Sequence, residues 1–185
     1  YLGRVAQGAG FAPSLEQAHL LPPRPEDNQA ANLRRPADIY IPSWKNGAPA
    51  ALDTAITSPL QQGIVGQAAL TSGAAAKAYE ERKRAFLNTA DLCAQQGILF
   101  VPLVAECTGG WGEDSLKALR HLAQAAADRR GRGKGEVLTE ILQSLCSMIR
   151  STKARAVLRR APCGNPVLGS GSESAGVALQ LDAVC

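Results

Sequence analysis

Residues 34–60 read RRPADIYIPSWKNGAPAALDTAITSPL, and their pattern decides how the chain folds. DIYIP and AALDTAIT are short β-type runs, and Asn46 and Gly47 in the SWKNGAP between them supply turn chemistry, so the pair reads as a hairpin. Farther on, ILFVPLVAE at residues 98–106 is apolar at both parities, as a strand covered on both faces should be. Pro102 in its middle is tolerable only at a bulge or on an edge. Between these strands, from Ser58 to Gln96, the pattern shifts to helical period. Pro59 suits a first turn and Gly97 the position just past a helix end, while Gly63, Gly66 and Gly73 weaken the first half. Ala74 to Gln96 is the firm part of that helix.

The rest follows the same logic. CTGGWGED is a glycine turn leading into a helix near Glu113 to Arg129, with acidic residues first and basic residues last, as the helix dipole favours. RRGRGKGE reads as a flexible basic linker, and Val137 to Arg160 as a further helix striped by Val137, Ile141, Leu145, Met148 and Ile149. Pro13, Pro22, Pro23 and Pro25 make residues 1–33 an extended lead-in. Residues 34–130 form the expected core, 131–162 a basic linker with a helix, and 163–185 a flexible, Gly- and Ser-rich tail. Strand, strand, long helix, strand, helix sums to an α/β (α+β) sandwich.

Composition narrows the function classes. At 185 residues there is room for one catalytic-sized domain, and with 4% aromatic residues its core must be built from Leu, Val, Ile and Ala. The net charge of +4 is uneven, because ADRRGRGKGE and RSTKARAVLRR gather cations late in the chain, which favours a polyanionic partner or a solvated basic face. The absence of a long apolar run and of a leader pattern argues against membrane insertion and secretion, so an intracellular protein is expected. The chain opens at Tyr1 without an initiator methionine, as a piece of a longer protein would. Five cysteines without a C-x-x-C pair, and His19 and His121 in unrelated contexts, argue against a disulfide framework or zinc site. No G-x-S-x-G nucleophile motif is present, and the turn at Cys107 to Gly112 lacks the G-K-S/T ending of a phosphate loop.

The remaining signal is acidic. Asp53 lies in an apolar strand, where an unpaired carboxylate is costly, and Asp38 opens the neighbouring strand. A hairpin of this length brings two such groups close, and a divalent cation with hard oxygen ligands relieves their repulsion; Mg²⁺ or Mn²⁺ is the natural filler. Glu106 ends the third strand. Asp38 and Asp53 also have ordinary readings, as a strand-entrance cap and as an acceptor from the turn that follows. Winding residues 74–96 at helical pitch places Lys83 in the middle of the apolar side, with Ala76, Tyr79, Phe86, Ala90 and Cys93. There it either snorkels outward or meets the carboxylates, where it would orient a water and steady a pentacovalent phosphate.

The ordered set RPAD, LDTAITSP, EERKRAF and FVPLVAECTGGWG resembles the restriction-like endonuclease region that follows the reverse transcriptase of some non-LTR retrotransposon proteins, of the PD-(D/E)xK fold class. The resemblance spans about residues 34–130. It implies a small mixed sheet flanked by helices, with Asp38 and Asp53 as ligands of Mg²⁺ or Mn²⁺, Lys83 as the catalytic lysine moved onto the helix, and Glu106 as an additional acid near the metal or around its ligands. Two departures stand out: Ala37 separates Pro36 from Asp38, and Ala55 occupies the place of the usual lysine two residues after Asp53. The implied partners are DNA, RNA and an upstream reverse-transcriptase domain, in the nucleus. Phosphate contacts would come from Arg34, Arg35, Lys45, Arg129, Arg130, Arg132 and Lys134. Two other readings are a degenerate remnant that keeps the fold, and a nucleic-acid-binding or assembly module without catalysis, in which Trp44 and Trp111 stack on bases or simply pack.

Overall fold

The structure, a computed structural model, describes residues 1–22 and 35–160. Its elements in chain order are α1 (Leu2–Gly8), β1 (Ser14–Leu15), β2 (Ile39–Lys45), β3 (Ala48–Thr57), α2 (Val65–Leu70), α3 (Ala74–Ala85), α4 (Thr89–Gln95), β4 (Leu99–Glu106), α5 (Glu113–Arg130) and α6 (Lys134–Arg160). The strands form one sheet in the order β1-β2-β3-β4, antiparallel except for the parallel pair β3 and β4. It is a mixed four-stranded sheet flanked by helices, an α/β fold.

The hairpin is tighter than the sequence suggests. Both strands continue to Asn46 and Gly47, whose φ values of 53° and 78° make the two-residue turn that matches strand twist. Pro42 sits where the register slips between Ile41 and Lys45, so its missing N–H breaks no ladder bond.

β4 lies at the sheet edge, which explains Pro102. Val104 sends its N–H out of that edge to Ser115 Oγ (2.6 Å) and Glu106 to Gly110 O (2.7 Å). Pro102, at the same parity, has no N–H to leave unpaired. The turn after β4 folds back to bridge Ala105 with Trp111 and closes the edge against pairing with another chain.

Alternation splits the core into two layers. Ala50, Leu52, Val101 and Leu103 pack with Leu119, Leu122, Ala126 and other small and branched residues of α5, with α1 and with Val137, Ile141 and Leu145 of α6. Ala51 and Phe100 face the other way, packing with Cys93 of α4 and with Leu21 and Ala37.

Three expectations change. Residues 1–15 are not an extended lead-in: Leu2, Val5, Ala6 and Ala9 fall at helical spacing, and burial of that stripe in the main core holds α1 in place, while Ser14–Leu15 adds an edge strand. The basic linker shrinks to residues 131–133. Gly131, at φ 63°, ends α5, and Arg132 pairs with Glu136 (3.6 Å) and Glu140 (2.7 Å), so α6 starts at once and belongs to the same core. The long helix is three helices. A straight helix over residues 74–96 would run about 34 Å and overshoot the strand it covers, about 26 Å. The chain instead breaks at residues 86–88, with Leu87 and Asn88 left-handed, and Thr89 Oγ1 donates to Phe86 O at 2.7 Å as α4 begins. Gly97, at φ 67°, ends α4 as expected.

Candidate active site

The β2–β3 register pairs Ile39 with Leu52. One step further it sets Asp38 against Asp53, on the same face. Asp38 Oδ2 accepts from Thr54 N (2.9 Å) and from the Thr54 hydroxyl, which holds its side chain over β3. Asp53 pairs in register with Pro102 of β4 and looks into the layer of α3. From that helix Lys83 Nζ reaches Asp53 Oδ2 at 2.6 Å, with side chains 21% and 20% exposed. The lysine on the apolar side of the helix therefore meets the carboxylate rather than snorkelling away.

Burial pushes the Asp53 carboxyl above its ordinary 3.8. The hydrogen bond and charge of Lys83 pull the other way without cancelling that effect, and the negative charge of Asp38 adds to the rise. The Lys83 ammonium is thus on Asp53, while Asp38 keeps its bonds to Thr54. Around Asp53 and Lys83 opens a cleft of about 360 Å³, whose walls include Arg35, Arg82, Tyr79, Phe86 and Phe100.

Glu106 is not part of this group. It pairs with Thr57, four residues beyond Asp53 along the sheet and about 13 Å away. Its Oε1 accepts the backbone N–H groups of Ala75 (2.9 Å) and Ala76 (3.3 Å). Those are the N2 and N3 donors of α3, whose cap position is Gly73 and supplies no side chain. Glu80, in the middle of α3, repeats the device. It accepts from Ser115 N (3.0 Å), Ser115 Oγ (2.6 Å) and Asp114 N (3.4 Å) at the start of α5, whose cap is Gly112. Two buried glutamates therefore seat two helices in series, β4 holding α3 and α3 holding α5. An Arg84–Asp114 ion pair lies beside the second joint. The signal for Glu80 was its spacing: Ala76, Glu80 and Lys83 form one helical stripe. Glu106 thus changes from an acid near the metal to the group that holds the helix carrying Lys83.

The expected phosphate contacts scatter. Arg35 lines the cleft and pairs with Glu16. Lys45 is seven residues along β2 from Asp38, about 23 Å. Arg129 and Arg130 lie over Gly10 and Gly8 at the end of α1, Arg132 is engaged by two glutamates, and Lys134 is exposed at the start of α6. α5 covers the sheet face opposite Asp53, so this group is remote from the carboxylates. Arg34 and residues 163–185 lie outside the described residues. Arg82 and Tyr79, stacked with 5.0 Å between guanidinium and ring, were missed as cleft residues. Trp44 is buried against Phe11 and His121, and Trp111 packs on the main core, so both pack rather than stack on bases.

Among the described residues no three metal-ligating side chains gather, so a cation here would take its protein oxygens from Asp38 and Asp53 alone. That set suits Mg²⁺, which binds through one or two carboxylates and completes its shell with waters and substrate phosphate. Burial does most to lift Asp53, and the smaller repulsion from Asp38 is what such an ion would offset. Comparison with protein-family models, curated proteins and solved structures finds no match.

Proposed function

We propose that this chain is a metal-dependent DNA endonuclease domain of a retroelement-derived, reverse-transcriptase-associated protein. The observation that carries the reading is the Asp53–Lys83 pair in a cleft walled by Arg35 and Arg82, with Asp38 across the hairpin from Asp53. Asp38 and Asp53 would hold Mg²⁺ or Mn²⁺, which when bound supplies Lewis acidity at a phosphate oxygen. Arg35 and Arg82 bind and orient the phosphodiester. Lys83, anchored on Asp53, orients the attacking water and offers positive charge to the equatorial oxygens. The water oxygen bonds to phosphorus, the bond from phosphorus to the 3′-oxygen breaks, and a proton passes to that oxygen. The products are a 5′-phosphate and a 3′-OH able to prime a polymerase. DNA is the substrate, with RNA and an upstream reverse transcriptase as further partners and the nucleus as the site of action. No helix among the described residues is long and apolar enough to cross a membrane.

A second reading, nucleic-acid binding without catalysis, is favoured by α6. Its last turns expose Arg150, Lys153, Arg155, Arg159 and Arg160 beyond the last buried residue, Leu145. Nicking of supercoiled plasmid separates the two. Metal-dependent nicking that Asp53→Asn and Lys83→Ala abolish at unchanged circular dichroism supports the endonuclease; a folded wild type that binds but never nicks, with Mg²⁺ or Mn²⁺, leaves the binding module.

A further inference from the structure

We infer that Phe86 is a stacking wall for an unpaired nucleobase beside the Asp53–Lys83 pair, so that the cleft accepts single-stranded or locally opened DNA. The inference deepens the endonuclease reading of the same cleft and rests on it for the nature of the ligand. Helical periodicity puts Phe86 on the apolar side of a continuous helix. The break after Ala85 leaves it 63% exposed instead, with Leu87 46% exposed beside it. Leu87 reaches this position at φ 53° and Asn88 at φ 54°, a left-handed conformation that is unfavourable for a leucine. A backbone held in strain to present a phenyl ring to solvent works against stability, and such strain concentrates at ligand sites.

The surroundings specify the ligand. The cleft wall carries Arg35, Arg82 and Lys83 against the single carboxylate of Asp53, a balance that suits a phosphate. The Tyr79 ring is already engaged by Arg82 at 5.0 Å and approached by Lys83 at 5.9 Å, whereas Phe86 stands open at the rim. About 360 Å³ is at the small end of ligand clefts, room for a nucleotide rather than a paired duplex. Phosphate on the cations and base on the phenyl face is the pairing by which proteins hold single strands without reading sequence.

The test uses the whole chain in EDTA and a single-stranded oligodeoxynucleotide with one central 2-aminopurine, beside the same probe in a duplex. Binding should quench the single-stranded probe. Phe86→Ala should weaken its binding about five- to hundredfold and remove the quench, Phe86→Trp should retain both, and Leu70→Ala, at an exposed leucine outside the cleft, should change neither. Phe86→Ala binding the single strand as the wild type does, or equal affinity for the duplex, would overturn the inference. Plasmid nicking by the same preparation separates its failure from that of the enzymatic reading: nicking without quenching sinks the stacking wall alone, and quenching without nicking sinks the endonuclease alone.

Discussion

Lys83 Nζ stands 2.6 Å from Asp53 Oδ2 across thirty residues of sequence, and each side chain keeps about a fifth of its surface exposed. The pair is mostly buried but still touches water, so its energetics lie between those of a surface pair and a fully buried one. Lys83→Met should destabilise the fold by about 1–2 kcal/mol, because it strands a largely buried carboxylate. Asp53→Asn added to Lys83→Met should recover part of that loss. Urea unfolding of the wild type, both single variants and the double variant gives the coupling; simple additivity would mean that the contact carries no energy.

Asp53 also sets a pH dependence. Its folded-state proton affinity exceeds that of the unfolded chain, so the ionised carboxylate opposes folding, an effect absent below 3.8 and complete above the raised folded value. Its contribution to stability therefore falls as pH rises through the window just above 3.8, and Asp53→Asn should flatten the profile there. The same group must be ionised to hold a cation, so nicking should fade as pH falls, with a midpoint above the ordinary aspartate range. NMR titration of the Asp53 side-chain carboxyl carbon, with an ordinary midpoint, would refute this.

The two seated helices predict cap-like losses at unusual places. Glu106→Ala leaves the N–H groups of Ala75 and Ala76 buried without an acceptor and should cost about 1–3 kcal/mol; Glu80→Ala should do the same at Ser115. Glutamine at either position keeps an acceptor and should lose less. Thermal melts rank the four variants, and Ala melting with Gln in both pairs would remove the capping role.

Gly112 is needed for close approach. A Cβ built there would stand 2.0 Å from Glu80 Oε1 and 2.2 Å from its Cδ. Gly112→Ala should therefore destabilise by about 1–3 kcal/mol through displacement of Glu80. Combining it with Glu80→Ala should erase most of the added penalty, which a melt of the double variant checks.

Leu87→Gly should leave the melting temperature unchanged or raise it, because glycine adopts φ 53° without strain. At an ordinary helical position the same change would lower stability by about 1 kcal/mol. A clear drop in melting temperature would show that Leu87 packs more than it strains.

Much of this was legible because it is local. The hairpin followed from Asn46 and Gly47, β4 from an apolar run at both parities, and α5 from its end charges. The α1 stripe of Leu2, Val5, Ala6 and Ala9 was legible too, but proline density nearby outweighed four apolar residues in a short segment. The break at residues 86–88 left no mark, since Phe, Leu and Asn are all compatible with a helix.

Amino-acid order alone determined which residues fall on which face of each strand and helix, because periods of two and 3.6 are properties of the backbone. It thereby placed Asp53 off the main core and Lys83 on the inner side of its helix. Only the tertiary structure decided that Lys83 meets Asp53, that Glu106 and Glu80 hold helix ends, and that the late arginines lie across the sheet from the carboxylates. Those outcomes depend on distances between elements far apart in the chain, and such distances are set by how layers pack, not by any pattern within one segment.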